Sequence, residues 1–279
     1  HKDAPAGAVT LAERGKYRFY PIGAIDKRIP GCVNFVCQAA TAQPGGNALY
    51  LEKLKFERIE TYTDAMMAGL AGLPEKPEGL RAPAGAAPKK TLFLKGMFWQ
   101  QYLQGNTIPL EARYACPTNY EELYAFDAVV LCNLPAPGLS QRKMLKDFVD
   151  DGGRLVVLGG SLTLGQGNFR CTYLEELVPV SLKGDGEVSR LDPPLLLGPE
   201  KRKEYGDKPA LFWRHDVEPA KESRVLAWAG DRPIALGHGA GKGLVYVFAG
   251  TVQGEGTAEM KPFWECASWR ELLKRLVNE

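Results

Sequence analysis

From residue 91 onward, short runs of consecutive apolar residues alternate with segments whose apolar positions recur at helical spacing. The runs are Thr91-Leu92-Phe93-Leu94, Phe126 to Cys132 and Arg154 to Leu158. An uninterrupted apolar run suits a strand covered on both faces, as parallel sheets require. Between the runs, a helix is predicted from about Tyr120 to Tyr124. A second, capped by Ser140, places Met144, Leu145, Phe148 and Val149 on one face and stops at Gly152-Gly153. Strand and helix in alternation predict an α/β fold with right-handed crossovers and a doubly wound sheet. Further on, Val225 to Ala229, Pro233 to Leu236 and Leu244 to Phe248 read as strands separated by glycine-rich turns. Two hairpins there would add antiparallel strands to the sheet edge. Trp269, Leu272, Leu273, Leu276 and Val277 have the spacing of a closing amphipathic helix.

The first 72 residues follow a different pattern. Tyr17 to Tyr20, Val33 to Cys37 and Ala48 to Phe56 are short extended segments bounded by Gly and Pro, so this part is expected to be β-rich. Its last segment and the Pro44-Gly45-Gly46-Asn47 turn resemble the closing strands of β-sandwich modules found beside carbohydrate enzymes. The segments are too few for a complete sandwich, which implies a partial module or a sheet completed by another chain. Residues 73–90 carry Pro74, Pro77, Pro83 and Pro88 among glycines and alanines, the composition of a semi-extended linker. The expected organisation is a β-rich segment over 1–72, a linker over 73–90 and an α/β domain over 91–279.

Composition narrows the function by exclusion. Over 279 residues, 35 Lys and Arg face 33 Asp and Glu, and no basic run clusters. Lys201-Arg202-Lys203 is flanked by Glu200 and Glu204, so a nucleic-acid face is not expected. No stretch reaches the ~18 apolar residues of a membrane span. The six cysteines, at 32, 37, 116, 132, 171 and 266, form no CxxC, and no histidine sits at ligand spacing from them. Neither a metal nor a cofactor is implied. Cys132, inside an apolar run, reads as a small core residue. The chain starts at His1 without a signal-type segment, so its natural beginning is expected to lie outside this sequence. Cys32 and Cys37 leave pairing, and with it the compartment, open.

Two glycine-rich segments bear on chemistry. Gly237 to Gly243 contains Gly-Lys, but Leu236 stands where a P-loop needs its first Gly, and Gly243 stands where it needs Ser or Thr. A hairpin turn is the expectation. Gly159-Gly160-Ser161-Leu162-Thr163 follows a buried strand, where open α/β sheets hold their ligands. Ser161 is placed as in a nucleophile elbow, although Thr163 replaces the glycine that lets the following helix pack closely.

These residues, together with Asp127 to Cys132, Gly152 to Gly160, Gly241 to Gly250, Phe169 to Pro179, His215-Asp216-Val217 and Pro262 to Glu265 with Trp269, carry a resemblance. Over about 90–279 the chain resembles class I glutamine amidotransferase-like domains, in an uncharacterised bacterial branch related to trehalose-utilisation proteins. The resemblance implies a flavodoxin-like fold. It also implies positions for a nucleophilic Cys and for a His-x-Glu pair. Ser161 occupies the first, the second falls near Thr251, and none of the three histidines begins a His-x-Glu. A serine hydroxyl without a positioned base is a weak nucleophile at neutral pH. The expectation is therefore a non-catalytic ligand-binding or assembly module of a larger bacterial protein, with a carbohydrate or other small molecule as ligand. Homo-oligomers or other domains of the same polypeptide are the expected protein partners. The candidate ligand-binding residues are Gly159, Gly160, Ser161, Trp99, Trp213 and Glu255. Phe98, Tyr102 and Trp264 are further aromatics, and Glu259 is a second carboxylate placed near the same cleft. The alternative is a serine-dependent hydrolase in which Ser161 recruits His215.

Overall fold

The computed structural model describes residues 76–80, 90–136, 139, 142–167, 169, 172–182, 188–257 and 259–278. The segments expected in the β-rich part, the pairing of Cys32 with Cys37 and the Ser140 cap lie outside the described residues.

The apolar runs form the strands they predict. β1 (Thr91–Lys95), β3 (Ala128–Cys132) and β4 (Arg154–Leu158) pair in parallel, with Leu92 beside Val129 and Val129 beside Leu155. β2 (Leu110–Arg113) joins the far side of β1 in parallel. Every residue of β3 and β4 is buried, so both faces of these strands are covered. Two groups of helices supply the cover. α2 (Tyr120–Leu123) and α4 (Tyr173–Leu177) each pack on α3 (Arg142–Asp150), which lies against β4. α1 (Trp99–Tyr102) and α5 (Ala267–Asn278) pack with the 3-10 turn Phe263–Glu265, and α5 also reaches β4. The five residues spaced for a closing helix are all buried on α5.

The second half of the chain departs from the expected pair of edge hairpins. β9 (Arg224–Ala229), β10 (Arg232–Ala240) and β11 (Gly243–Phe248) do form an antiparallel meander, but β11 pairs in parallel with β4 and brings the meander into the middle of the sheet. β6 (Val188–Gly198) and β7 (Pro209–His215) extend it beyond β9, and β12 (Lys261–Pro262) ends it. The resulting order of the ten strands is β12-β7-β6-β9-β10-β11-β4-β3-β1-β2. β5 (Val180–Ser181) and β8 (Glu218–Pro219) form a separate two-stranded ladder. Pro193 and Pro194 hide β6 in the sequence, because proline removes a ladder donor. The strand accommodates them in an irregularity between Arg190 and Leu195, with regular pairing to β7 on either side.

The glycine-rich stretch at 237–243 is a hairpin, and β10 runs through to Ala240 before the chain turns. Gly241 makes that turn at φ +57°, where a Cβ would lie 2.5 Å from the Asp150 Cα. In the segment expected to be a linker, Lys76 is ion-paired with Asp151 at the end of α3, and Leu80 packs against the core.

Candidate functional site

The carboxyl ends of β1, β3, β4 and β11 meet at one edge of the sheet. Asn133, directly after β3, ties three of them together. It is buried and held at φ +46°, a conformation that Asn tolerates better than most residues. Its Oδ1 accepts from the Leu162 N–H at 2.8 Å, and its Nδ2 donates to the Met97 carbonyl at 3.3 Å. The chain after β4 crosses directly over this side chain. Gly160 has φ +153°, and a Cβ there would lie 2.1 Å from Asn133 Cγ. Gly159 passes Gly250 nearly as closely, with 2.5 Å from a Cβ to the Gly250 carbonyl. Glycine is required at both positions.

Tyr102 closes the edge from within. Its hydroxyl donates to the Gly159 carbonyl at 2.6 Å and lies 3.3 Å from the Gly250 carbonyl, joining the ends of β4 and β11. The ring packs on Phe263 and Trp269, and the indole of Trp269 donates to the Tyr102 carbonyl at 3.0 Å. Burial pushes the Tyr102 hydroxyl well above the ordinary tyrosine range, so it acts as a neutral donor.

His215, the last residue of β7, is fully buried and reaches the same turn. Its Nε2 lies 2.8 Å from the Gly160 carbonyl and 3.2 Å from the Gly160 N–H. One ring nitrogen either donates or accepts, and the shorter contact fits Nε2–H donating to the carbonyl. In either tautomer this nitrogen serves the backbone of Gly160. The Ser161 hydroxyl makes no hydrogen bond among the described residues.

The Ser161 turn also differs from a nucleophile elbow in shape. Positive φ falls at Gly160 and Leu164, not at Ser161. Bends continue through Gly167, and α4 begins only at Tyr173, so no helix follows the turn directly. Thr251, after β11, is buried, and its hydroxyl donates to the Trp213 carbonyl at 3.3 Å. The described thiols are also far from reactive. Burial raises Cys132, as its reading as a core residue anticipates, and Cys266. Burial and the charge of Glu122 push Cys116 up to about 12. Among the described residues no three His, Cys, Asp or Glu side chains gather to hold a metal.

The other candidates separate. Trp213 is half-buried beside this edge, since the Thr251 N–H donates to its carbonyl at 3.0 Å. Trp99, on α1, is half-buried with the Lys95 ammonium 5.0 Å above its ring, next to exposed Met97 and Phe98. Phe98 has φ +60°, an uncommon conformation for a non-glycine residue. Two of the further aromatics, Tyr102 and Trp264, are core residues packed with Phe263. Glu255 sits on an exposed loop that runs back along β7 after Thr251. Glu259 does not share the cleft with Ser161: it lines a pocket of about 380 Å³ with Asp207, Lys208, Lys261 and Glu265. That pocket adjoins the start of β7, six residues and roughly 20 Å of strand from His215. Sequence reasoning missed Asn133 and the Tyr102 hydroxyl. A polar residue directly after an apolar strand was the one local signal for Asn133.

Fold and site together define an α/β protein with a large mixed sheet and a polar junction at its carboxyl edge. Two solved structures share this fold, both cytoplasmic proteins of Salmonella typhimurium. One matches with a TM-score of 0.56 at 17% identity, covering 67% of this chain and 97% of its own. The other scores 0.55 at 18% identity, covering 68% and 100%. A ThuA-like protein from Bacteroides uniformis covers 72% of this chain and 95% of its own at 14% identity with a TM-score of 0.43. No family model matches the chain, and no curated protein matches it in sequence. No described helix is long and apolar enough to cross a membrane.

Proposed function

We propose that the α/β part is a non-catalytic module of amidotransferase type that binds a small molecule, a carbohydrate in the first instance, at the carboxyl edge of its sheet. A flavodoxin-like reading is supported by the parallel strands, whose order is β2-β1-β3-β4-β11. One observation carries the functional reading: the His215 imidazole is hydrogen-bonded to the Gly160 backbone, and among the described residues the Ser161 hydroxyl meets no base. In amidotransferases a thiolate attacks the amide while an acid-supported imidazole moves the proton. In this reading Ser161 stands in the first place and the second falls near Thr251, and among the described residues no imidazole is positioned to move a proton from Ser161. What remains suits binding: half-buried Trp99 and Trp213, exposed Phe98, and the polar groups of the Gly160 turn.

A hydrolase using Ser161 is the second reading, favoured by one fact: His215 lies at the residue next to Ser161. That use requires His215 to leave Gly160 and turn to the hydroxyl. Two assays on the purified protein separate the readings. Glutamine and a panel of activated esters should be hydrolysed no faster by wild type than by Ser161→Ala. Sugars titrated against tryptophan fluorescence should give a saturable change that weakens at least about tenfold in Trp99→Ala. Turnover that Ser161→Ala abolishes would overturn the proposal, as would a fluorescence signal indifferent to every sugar and to Trp99.

A further inference from the structure

The two edges of the ten-stranded sheet are built differently. β12 is two residues long and contains Pro262, which blunts an edge. β2, which ends the sheet among the described residues, is four residues long, pairs with β1 in unbroken register and has neither proline nor bulge. Its Ala112 is exposed, and Leu110, Glu111 and Arg113 are half-buried. Among the described residues no strand pairs with its outer side, and such an edge offers backbone groups to a second strand.

The sequence of this edge, Leu110-Glu111-Ala112-Arg113, complements itself. In an antiparallel pair centred on Ala112, Glu111 of one copy lies opposite Arg113 of the other, twice over. Ala112 faces Ala112 at the two-fold axis, where a small exposed residue allows close approach. The neighbouring charges are balanced within each copy. Arg113 bonds Glu111 and Glu122, and Lys90 lies 3.6 Å from Glu111, two positive against two negative groups. Two copies thus meet without net repulsion, and opposite charges across a strand pair are favourable. Exposed Tyr114, just past the strand and 71% accessible, adds apolar surface to bury there. We propose that β2 is the docking edge for a second copy of this chain, joining two sheets about a two-fold axis.

This interface is independent of any ligand at the Gly160 turn. Its test uses sedimentation velocity on the full chain at micromolar concentrations. Wild type should be dimeric. Glu111→Arg and Arg113→Glu should each be monomeric, because each places like charges opposite one another across the axis. An equimolar mixture of the two variants should regain a dimer, since both cross-axis pairs then join an arginine of one copy to a glutamate of the other. Ala112→Lys, a change at an exposed position that leaves the in-chain ion pairs intact, should weaken the dimer at least about tenfold. A monomeric wild type would overturn the proposal. So would a dimer indifferent to these changes, or variants that fold by circular dichroism but fail to pair when mixed.

Discussion

Gly160→Ala tests whether the junction at the sheet edge is as tightly built as its distances imply. The added methyl would lie 2.1 Å from Asn133 Cγ and 2.2 Å from its Oδ1. That side chain is not free to swing aside, since it holds the Leu162 N–H and the Met97 carbonyl. Displacing it forfeits two hydrogen bonds at roughly 1 kcal/mol each. An L-residue at φ +153° adds about 1–3 kcal/mol of backbone strain. The expected loss is about 3–5 kcal/mol, a fall in Tm on the order of 10 °C. Urea and thermal unfolding of the purified protein measure it. A double-mutant cycle with Asn133→Gly isolates the clash, because glycine removes the obstructing side chain and suits the φ of +46° at 133. In that background Gly160→Ala should lose only the strain, a coupling of about 2 kcal/mol. A single mutant within about 1 kcal/mol of wild type, or purely additive effects, would refute the reasoning.

Tyr102→Phe removes the donor to the Gly159 and Gly250 carbonyls and should destabilise by about 1–2 kcal/mol in chemical denaturation, the ring packing being kept. Burial raises Tyr102, Tyr120 and Tyr124, with Asp147 and Asp151 adding to the last two. Their contribution is therefore complete below the ordinary tyrosine value near about 10 and is lost as pH rises beyond it. Tyrosinate absorbance should show these three ionising only as the alkaline protein unfolds, and early titration of them in folded protein would contradict this. At acid pH the sign reverses for Asp207. Burial raises its carboxyl, but hydrogen bonds from Ser268 and Ala267 outweigh that and hold it below the usual range. Its share of stability is present above about pH 4 and fades as pH falls. Asp207→Ala should cost about 1 kcal/mol at neutral pH by uncapping α5 and should flatten the acid limb of the stability profile.

Local pattern was enough to specify β1, β3, β4, β9, β10, β11, α3 and α5. Apolar runs and helical spacing fix which residues must leave water, and that requirement does not depend on partners. Local pattern also showed that no histidine of the chain begins a His-x-Glu. The sequence was silent where burial is achieved by a neighbour rather than by the element's own pattern. β6 reads as no strand because of its prolines, yet β7 and β9 hold it on either side. Nothing local in the sequence marks Tyr102 and Trp264 as core residues; they become so by packing with Phe263. Tertiary structure alone brings His215 from β7 to Gly160, 55 residues away along the chain. No periodicity encodes such a meeting, because it depends on strand order, and strand order is set by the packing of the whole sheet.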